Sequence, residues 1–351
     1  MSFPLLLLMI FVAAAAVTWV AGVQLSRQTD VLAARLHLGE ALGGLILLAI
    51  ATNLPEIAIT VSAAISGDLS IALGNILGGI ALQTVVLVVL DAVGVRGGKP
   101  LTYRAASLPL IVEAGLVITI LAIAIAGTQL PANAILWRLP PAGVLIAAVW
   151  IVGLLLVNRA QHSLPWHGDG TAPDAQPEPR GHSRDKTEAK QRSTSTARSA
   201  VIFAVAAVAT LVAGVVLERS GDAAAKQIGL SGVLFGSTVL ALATSLPEIS
   251  TGLTAVRHGD YKLAVSDIFG GNAFLPVLFL VAALISGKAV LPQAHGTDIY
   301  LTALAIVLTL VYLLGILFRP QRRIARMGVD SFVVLVLYAA GIVGLFAIAR
   351  S

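Results

Sequence analysis

The composition of this 351-residue chain excludes an ordinary soluble protein, because 57% of its residues are apolar, only 12% are charged and the mean hydropathy is +0.92. Soluble domains carry roughly 25% charged residues. No cysteine is present, which excludes disulfides, thiolate catalysis and cysteine-ligated metal centres. The net charge is +5, but the basic residues are scattered through loops beside apolar runs. That distribution is typical of membrane orientation and does not indicate nucleic-acid binding.

Apolar runs long enough to cross a bilayer as helices, about 20 residues each, recur along the whole chain. No basic residue precedes the first run, so we predict a retained span and no cleaved signal peptide. The sequence predicts an all-α polytopic membrane protein with ten spans, at residues 3–23, 38–64, 71–93, 107–127, 139–157, 199–217, 229–256, 262–286, 297–318 and 330–349.

A single long polar segment, residues 158–198, divides these spans into five and five. It is rich in proline, glycine, serine and basic residues and contains too few apolar residues to fold alone, which predicts a disordered linker. The linker separates a first membrane repeat, residues 1–157, from a second, residues 199–351. Because each repeat has an odd number of spans, the two repeats are expected to enter the membrane in opposite senses.

The distribution of basic residues predicts the orientation. If the N-terminus lies outside, 18 of the 23 lysine and arginine residues fall on the inner side. Basic residues accumulate on the cytoplasmic side of membrane proteins. We therefore expect both termini outside and the linker in the cytoplasm, with the protein in the bacterial plasma membrane.

The two repeats share a stretch of sequence. Residues 236–282 match residues 44–90 without a gap at a fixed offset of 192, and 19 of the 47 pairs are identical. Each copy places a helix-breaking proline and a glutamate inside an apolar run, as Pro55-Glu56 and as Pro247-Glu248. A charge in hydrocarbon costs a few kcal/mol and is rarely present without a use. Function is therefore expected where the two copies meet.

The prolines predict what the repeated stretch can bind. Each proline removes a backbone donor, which frees carbonyl groups near residues 49–52 and 241–244. In hydrocarbon a free carbonyl needs a partner, and the partner can be a cation. Inverted copies would bring Glu56 and Glu248 together with two threonine hydroxyls, an oxygen-only cage of the kind that hard cations such as Ca²⁺ or Na⁺ prefer. The alternative is a pair of kinked helices whose glutamates are protonated or paired internally.

The span that follows each motif carries a polar stripe at i, i+4, i+8 spacing, which lies on one helix face. The stripe reads Asn75, Gly79, Gln83 in the first repeat and Asp267, Gly271, Leu275 in the second. Helix packing explains the glycines, but it does not explain Gln83 or Asp267. Other acids within or near spans are expected to be satisfied by interfacial water: Glu40, Asp91 and Glu113.

These motifs resemble the sodium/calcium exchanger family of the cation/calcium antiporter superfamily. The residues that carry the resemblance are Ala51-Thr52-Asn53-Leu54-Pro55-Glu56 with residues 74–80, and Ala243-Thr244-Ser245-Leu246-Pro247-Glu248 with residues 266–272. The resemblance implies ten helices in two inverted five-helix repeats and a central divalent site on Glu56 and Glu248. It also implies flanking monovalent sites, at Thr52 with Ala49 and at Thr244 with Ala241.

The chain departs from the family pattern at three positions. The family serine is replaced by Gly79 and by Gly271, so each flanking site lacks a hydroxyl, and the downstream polar residue is Gln83 in one repeat but Leu275 in the other. Asp267 stands two turns before Leu275 on the same face. We hypothesise that it supplies a third carboxylate or a proton relay; the alternative is an acid with local hydrogen bonds only.

The function expected from these features is a secondary antiporter that exchanges Ca²⁺ for Na⁺ by alternating access. The alternatives are a Ca²⁺/H⁺ antiporter, a channel and a transport-dead homologue. An enzyme is not expected, because neither motif pairs a nucleophile with a base. The expected partners are inorganic cations and lipid, with no cofactor, no nucleic acid and no obligate protein partner.

Overall fold

The protein is predominantly helical, as predicted. The computed structural model describes residues 3–35, 50–162, 195–227, 239–257 and 259–348. Among these residues, eight helices are long and apolar enough to cross a membrane. The other two predicted spans, 38–64 and 229–256, begin outside the described residues. Most of the linker also lies outside them. The count of ten and the inverted relation of the repeats remain predictions.

The helices of the first half include one π-helical turn, Leu90–Gly94, which directly follows the helix that ends at Val89. Their bounds are α1 Phe3–Arg35, α2 Leu54–Ser66, α3 Leu69–Val89, α4 Leu101–Ala105, α5 Leu108–Thr128 and α6 Pro141–His162.

The second half contains the only β-structure with a ladder in the described ranges, a two-stranded antiparallel hairpin between its last two helices. The bounds are α7 Thr196–Gln227, α8 Ala241–Thr244, α9 Leu246–Arg257, α10 Tyr261–Phe274, α11 Leu278–Ser286, α12 Gly296–Phe318, β1 Arg323–Ile324, β2 Met327–Gly328 and α13 Val329–Ile348. Two 3-10 turns, Leu275–Val277 and Leu291–Gln293, lie beside α11.

Two helices are longer than the sequence predicted. Helix α1 has 33 residues and α7 has 32, so each is roughly 50 Å long. The predicted first span ended at residue 23, but the residues that follow contain neither glycine nor proline, so nothing in them stops the helix. The two long helices pack against each other, and each also contacts a proline-containing helix of the repeated stretch.

The repeated stretch has the same local backbone in both copies. After α2 the chain turns at Gly67 with φ 80°, and after α9 it turns at Gly259 with φ 84°. The left-handed conformation favours glycine at both positions. Asp68 and Asp260 follow with nearly equal angles, φ −92° and ψ 75° against φ −93° and ψ 71°. Each turn folds the following helix back along its predecessor.

Each repeat also contacts the proline-containing helix of the other repeat. A Cβ atom placed on Gly22 of α1 would lie 2.5 Å from Cβ of Pro247, and one on Gly214 of α7 would lie 3.0 Å from the carbonyl oxygen of Pro55. The first long helix of each half therefore touches the proline helix of the other half. Gly22 and Gly214 are separated by the same offset of 192 as the repeated stretch. A two-fold relation between the repeats would produce such an exchange.

Gly22→Ala is expected to lower the free energy of unfolding by about 1–3 kcal/mol, because the added methyl group would overlap the ring of Pro247. The measurement is thermal unfolding of the purified protein in detergent. Gly115→Ala in α5 is the control, because a Cβ atom there has no neighbour within 4 Å. Alanine is also the better helix former, so the control should unfold at the same or a slightly higher temperature. Equal midpoints for the two variants would contradict the contact.

Candidate cation site

The helices that carry the two glutamates are interrupted at the same place in each repeat. The break lies at Asn53, with φ −90° and ψ 15°, and at Ser245, with φ −80° and ψ 1°. The helices resume with hydrogen bonds from Ile57 N to Asn53 O, at 3.0 Å, and from Ile249 N to Ser245 O, at 3.1 Å. Each glutamate therefore lies in the first turn after a break, where the helix N-terminus favours negative charge.

The two glutamates are buried and close enough to interact. Glu56 is 1% exposed and Glu248 is 2% exposed. None of their four carboxylate oxygens has a hydrogen-bond partner among the residues that the structure describes. The two carboxylates lie within range of direct electrostatic interaction. Two buried carboxylates in one place are costly unless a cation or a proton neutralises them.

The threonine of the second motif faces the acid of the first. Thr244 Oγ1 donates to the carbonyl oxygen of Ala241 at 3.1 Å and lies beside the Glu56 carboxylate. A hydroxyl that gives its hydrogen to a carbonyl presents only lone pairs to its other neighbours. The same hydroxyl can also rotate to donate to Glu56, so it can serve either the bare carboxylate or a cation bound to it. Thr52, the matching residue, is also buried.

The two carbonyl oxygens predicted as ligands are those of Ala49 and Ala241. Ala49 lies outside the described residues. The carbonyl oxygen of Ala241 already accepts three hydrogen bonds: from Ser245 N at 3.0 Å, from Ser245 Oγ at 2.8 Å and from Thr244 Oγ1. A cation could use this oxygen only if at least one of the two hydroxyl groups rotated away.

A buried amide pair occupies one side of the site. Gln83, 1% exposed, donates from Nε2 to Asn53 Oδ1 at 3.5 Å. The Asn53 Nδ2 atom lies only 2.9 Å from the place that a Cβ atom would take on Gly271, whereas Gly79 has nothing within 4 Å. Glycine at 271 thus makes room for the Asn53 amide, while the matching place beside Gly79 is open. Sequence reasoning did not select Asn53, although the matching residue of the second repeat is Ser245, a visible difference between the two copies.

Asp267 is brought to the helix that carries Glu248. Its Oδ2 atom accepts a hydrogen bond from Thr251 Oγ1 at 3.1 Å, and Thr251 lies one turn after Glu248 on α9. Its carboxylate also lies within range of direct electrostatic interaction with Glu248. Sequence reasoning missed Thr251, because a threonine inside an apolar helix carries no signal of its own. Asn75, which matches Asp267 in the first repeat, is fully buried, and its amide has no partner among the described residues.

Leu275, the residue that departs from the family pattern in the second repeat, is fully buried and begins a 3-10 turn. It supplies no oxygen ligand. Interfacial water does not account for Glu113, because the residue is 4% exposed and accepts a hydrogen bond from Ser266 Oγ at 3.0 Å. The expectation for Glu113 was therefore wrong, because α5 packs against α10 at this position. Glu40 lies outside the described residues.

Known proteins match this chain in sequence along most of its length. The family model described as "Sodium/calcium exchanger protein" matches residues 6–158 and 198–347. The putative antiporter CaxA of Alkalimonas amylolytica is 26% identical over 297 residues, which cover 84% of this chain and 85% of CaxA.

Two solved structures have a similar fold. The sodium-calcium exchanger NCX_Mj, soaked with Na⁺ and Sr²⁺, has a TM-score of 0.60 at 17% identity, and the match covers 97% of this chain and 99% of that chain. Native YfkE has a TM-score of 0.62 at 14% identity, covering 96% of this chain and 92% of that chain. The family model spans both repeats, and the chain therefore belongs to the sodium/calcium exchanger protein family.

Proposed function

We propose that the protein is a secondary antiporter that exchanges Ca²⁺ for Na⁺ by alternating access, with Glu56 and Glu248 as the carboxylates that hold Ca²⁺. The observation that carries this proposal is the pair itself: two interacting, buried carboxylates with no hydrogen-bond partner among the described residues. Two negative charges neutralise one divalent cation, and carboxylate oxygens are the ligands that Ca²⁺ prefers.

The same pair explains how two ions would be coupled. A site with two uncompensated carboxylates is costly to move through hydrocarbon, so the protein should change sides only when the charges are neutralised. Either Ca²⁺ or its counter-ions can neutralise them. Because the ions compete for the same oxygens, binding of one excludes the other, which makes the transport an exchange.

The other predicted ligands take supporting roles in this proposal. The hydroxyls of Thr52 and Thr244 would flank the central site, with the carbonyls of Ala49 and Ala241 as further oxygens. Thr244 is the best supported of these four, since its hydroxyl lies beside the Glu56 carboxylate. Gln83 would act through Asn53, to which it donates a hydrogen bond.

A Ca²⁺/H⁺ antiporter is the second candidate, and one observation favours it. The Asn53 amide nitrogen occupies the space beside Gly271, and its N–H groups are donors, which a cation does not bind. Together with the missing hydroxyls at Gly79 and Gly271, this leaves fewer oxygens for Na⁺. Protons on the two glutamates would need no such ligands.

Ca²⁺ uptake by the purified protein in proteoliposomes distinguishes the two candidate functions. We expect a Na⁺ gradient directed out of the vesicles to drive uptake of labelled Ca²⁺, because Na⁺ leaving the vesicle must be replaced by Ca²⁺. A proton gradient alone should leave uptake at the level of protein-free vesicles. Vesicles with an equal gradient of N-methylglucamine control for ionic strength. Uptake that is driven by protons and indifferent to Na⁺ would overturn the first candidate and favour the second.

A further inference from the structure

A second pair of buried acids lies at the end of the bundle that carries the β-hairpin. Asp91, in the π-helical turn after α3, is 0% exposed, and Asp330, in the first turn of α13, is 5% exposed. A Cβ atom on Gly328 would contact Asp330 Oδ1 and lie 3.2 Å from Asp91 Oδ2. The two carboxylates therefore meet across one glycine. Interfacial water, the account expected for Asp91, is excluded by its burial.

The carboxylate of Asp91 accepts hydrogen bonds from three separate segments of the chain. Its Oδ1 atom accepts from Leu101 N, at the start of α4, at 2.9 Å. Its Oδ2 atom accepts from Gly328 N of the hairpin at 2.6 Å and from Ser331 Oγ of α13 at 2.8 Å. Asp91 thus has a structural role that its position near a span end did not predict.

The carboxylate of Asp330 is not satisfied in the same way. Neither of its oxygens completes a hydrogen bond among the described residues, although the hydroxyl of Thr102 and the backbone N–H groups of Ser331 and Asp330 lie beside it. The Thr102 hydroxyl, on a residue only 1% exposed, also completes none. Buried polar groups are nearly always hydrogen-bonded. A buried carboxylate and a buried hydroxyl left open at one place indicate that a ligand belongs between them.

The charged groups around Asp91 and Asp330 also indicate that a cation is missing. Within the described ranges, neither carboxylate forms an ion pair with a lysine or arginine. The guanidinium group of Arg323 is directed to backbone oxygens, including that of Asp91 at 3.5 Å, and the other titratable group that faces the pair, Tyr312, donates to Ser331 Oγ at 3.3 Å. Two buried negative charges without a cation are strongly unfavourable.

We propose that Asp91, Asp330 and Thr102 form a second site for a hard cation of the Na⁺ or Ca²⁺ class, separate from the pair Glu56 and Glu248. Carboxylate and hydroxyl oxygens are the ligands that such cations prefer. Asp91 lies eight residues beyond Gln83 on the same helix, about 12 Å along its axis. The site does not depend on which ions the protein exchanges.

The bound cation would hold the hairpin in place. The two residues of the hairpin turn, Ala325 and Arg326, have φ angles of 49° and 72°, and non-glycine residues are strained in this region. Such a turn must be stabilised by contacts elsewhere. A cation between Asp91 and Asp330 would tie the base of the hairpin to the end of α3, on the side predicted to be cytoplasmic. Its binding would make the packing of this end depend on the ion concentration there.

The test uses a background in which the proposed transport site is disabled. The full-length Glu56→Gln, Glu248→Gln variant is purified in detergent, and its thermal unfolding is followed in NaCl, in CaCl₂ and in N-methylglucamine chloride at matched ionic strength. We expect Na⁺ or Ca²⁺ to raise the midpoint by several degrees, because a ligand that binds only the folded state stabilises it. Adding Asp330→Asn should abolish this shift, while adding Asp68→Asn, at an exposed acid in the turn after α2, should preserve it.

Three results would overturn the proposal: equal midpoints in all three salts, a cation shift that survives Asp330→Asn, or a midpoint that varies with pH equally in every salt. If the Asp330→Asn variant does not fold, Thr102→Val serves in its place, since it removes the hydroxyl and keeps the shape. It should raise the cation concentration that gives the half-maximal shift, and an unchanged concentration would count against the site.

Discussion

Glu248→Gln should reduce Ca²⁺ exchange more than about 100-fold, because removing one charge from a buried charged site costs about 3–5 kcal/mol. Glutamine keeps the size of the side chain but cannot neutralise Ca²⁺. Both oxygens of Glu248 lack a hydrogen-bond partner among the described residues, so the substitution breaks no bond seen there. The measurement is uptake of labelled Ca²⁺ into proteoliposomes with a Na⁺ gradient directed outward. Glu56→Gln should have an effect of the same size.

The matched control for these variants is Glu218→Gln in α7. Glu218 is also a buried acid of a membrane helix, but it accepts a hydrogen bond from Ser62 Oγ at 3.4 Å and lies outside the proposed site. Its variant should exchange Ca²⁺ within about a few fold of the parent, since a single hydrogen bond contributes about 1 kcal/mol. If the double variant Glu56→Gln, Glu248→Gln transports as fast as the parent, the proposed role of the pair is wrong.

Asp267→Asn should raise the Ca²⁺ concentration for half-maximal exchange about tenfold, equivalent to about 1.4 kcal/mol. The physical reason is the loss of a third negative charge that interacts with Glu248 and is joined to its helix through Thr251. If Asp267 acts as a proton relay and not only as a third carboxylate, the pH dependence of exchange should change as well. Asparagine stands at the matching position of the first repeat, Asn75, so the helix should accept it.

The Thr251→Val variant distinguishes the effect of the Asp267 charge from the effect of its hydrogen bond to α9. This variant keeps the carboxylate but removes the hydroxyl that donates to it at 3.1 Å. We expect a smaller change in the same direction than for Asp267→Asn. If Asp267→Asn leaves both the Ca²⁺ dependence and the pH dependence unaltered, then Asp267 serves only local hydrogen bonds.

The repeated stretch made much of the candidate site predictable. Proline and glutamate inside an apolar run mark a broken helix with a buried acid, because backbone donors and charge are properties of single residues. The structure has the break at Asn53 and Ser245, immediately before Leu54-Pro55 and Leu246-Pro247.

Contacts between distant segments were not predictable in the same way. Glu113 and Asp91 were both assigned to interfacial water, yet each is buried against a segment more than 150 residues away. The space around Gly271, filled by Asn53, and around Gly79, left open, also differs although the two residues are identical.

The sequence by itself determined that this protein lies in a membrane, that its helices are broken at two places and that an acid follows each break. Hydropathy, missing backbone donors and repeated motifs are properties of single residues or short stretches, so they can be read directly from the sequence. Only the tertiary structure decided which buried groups share a space: Asn53 with Gly271, Asp267 with Thr251, and Asp91 with Asp330. Such pairings depend on how helices from both halves pack, since a buried polar group takes whichever partner packing brings within reach.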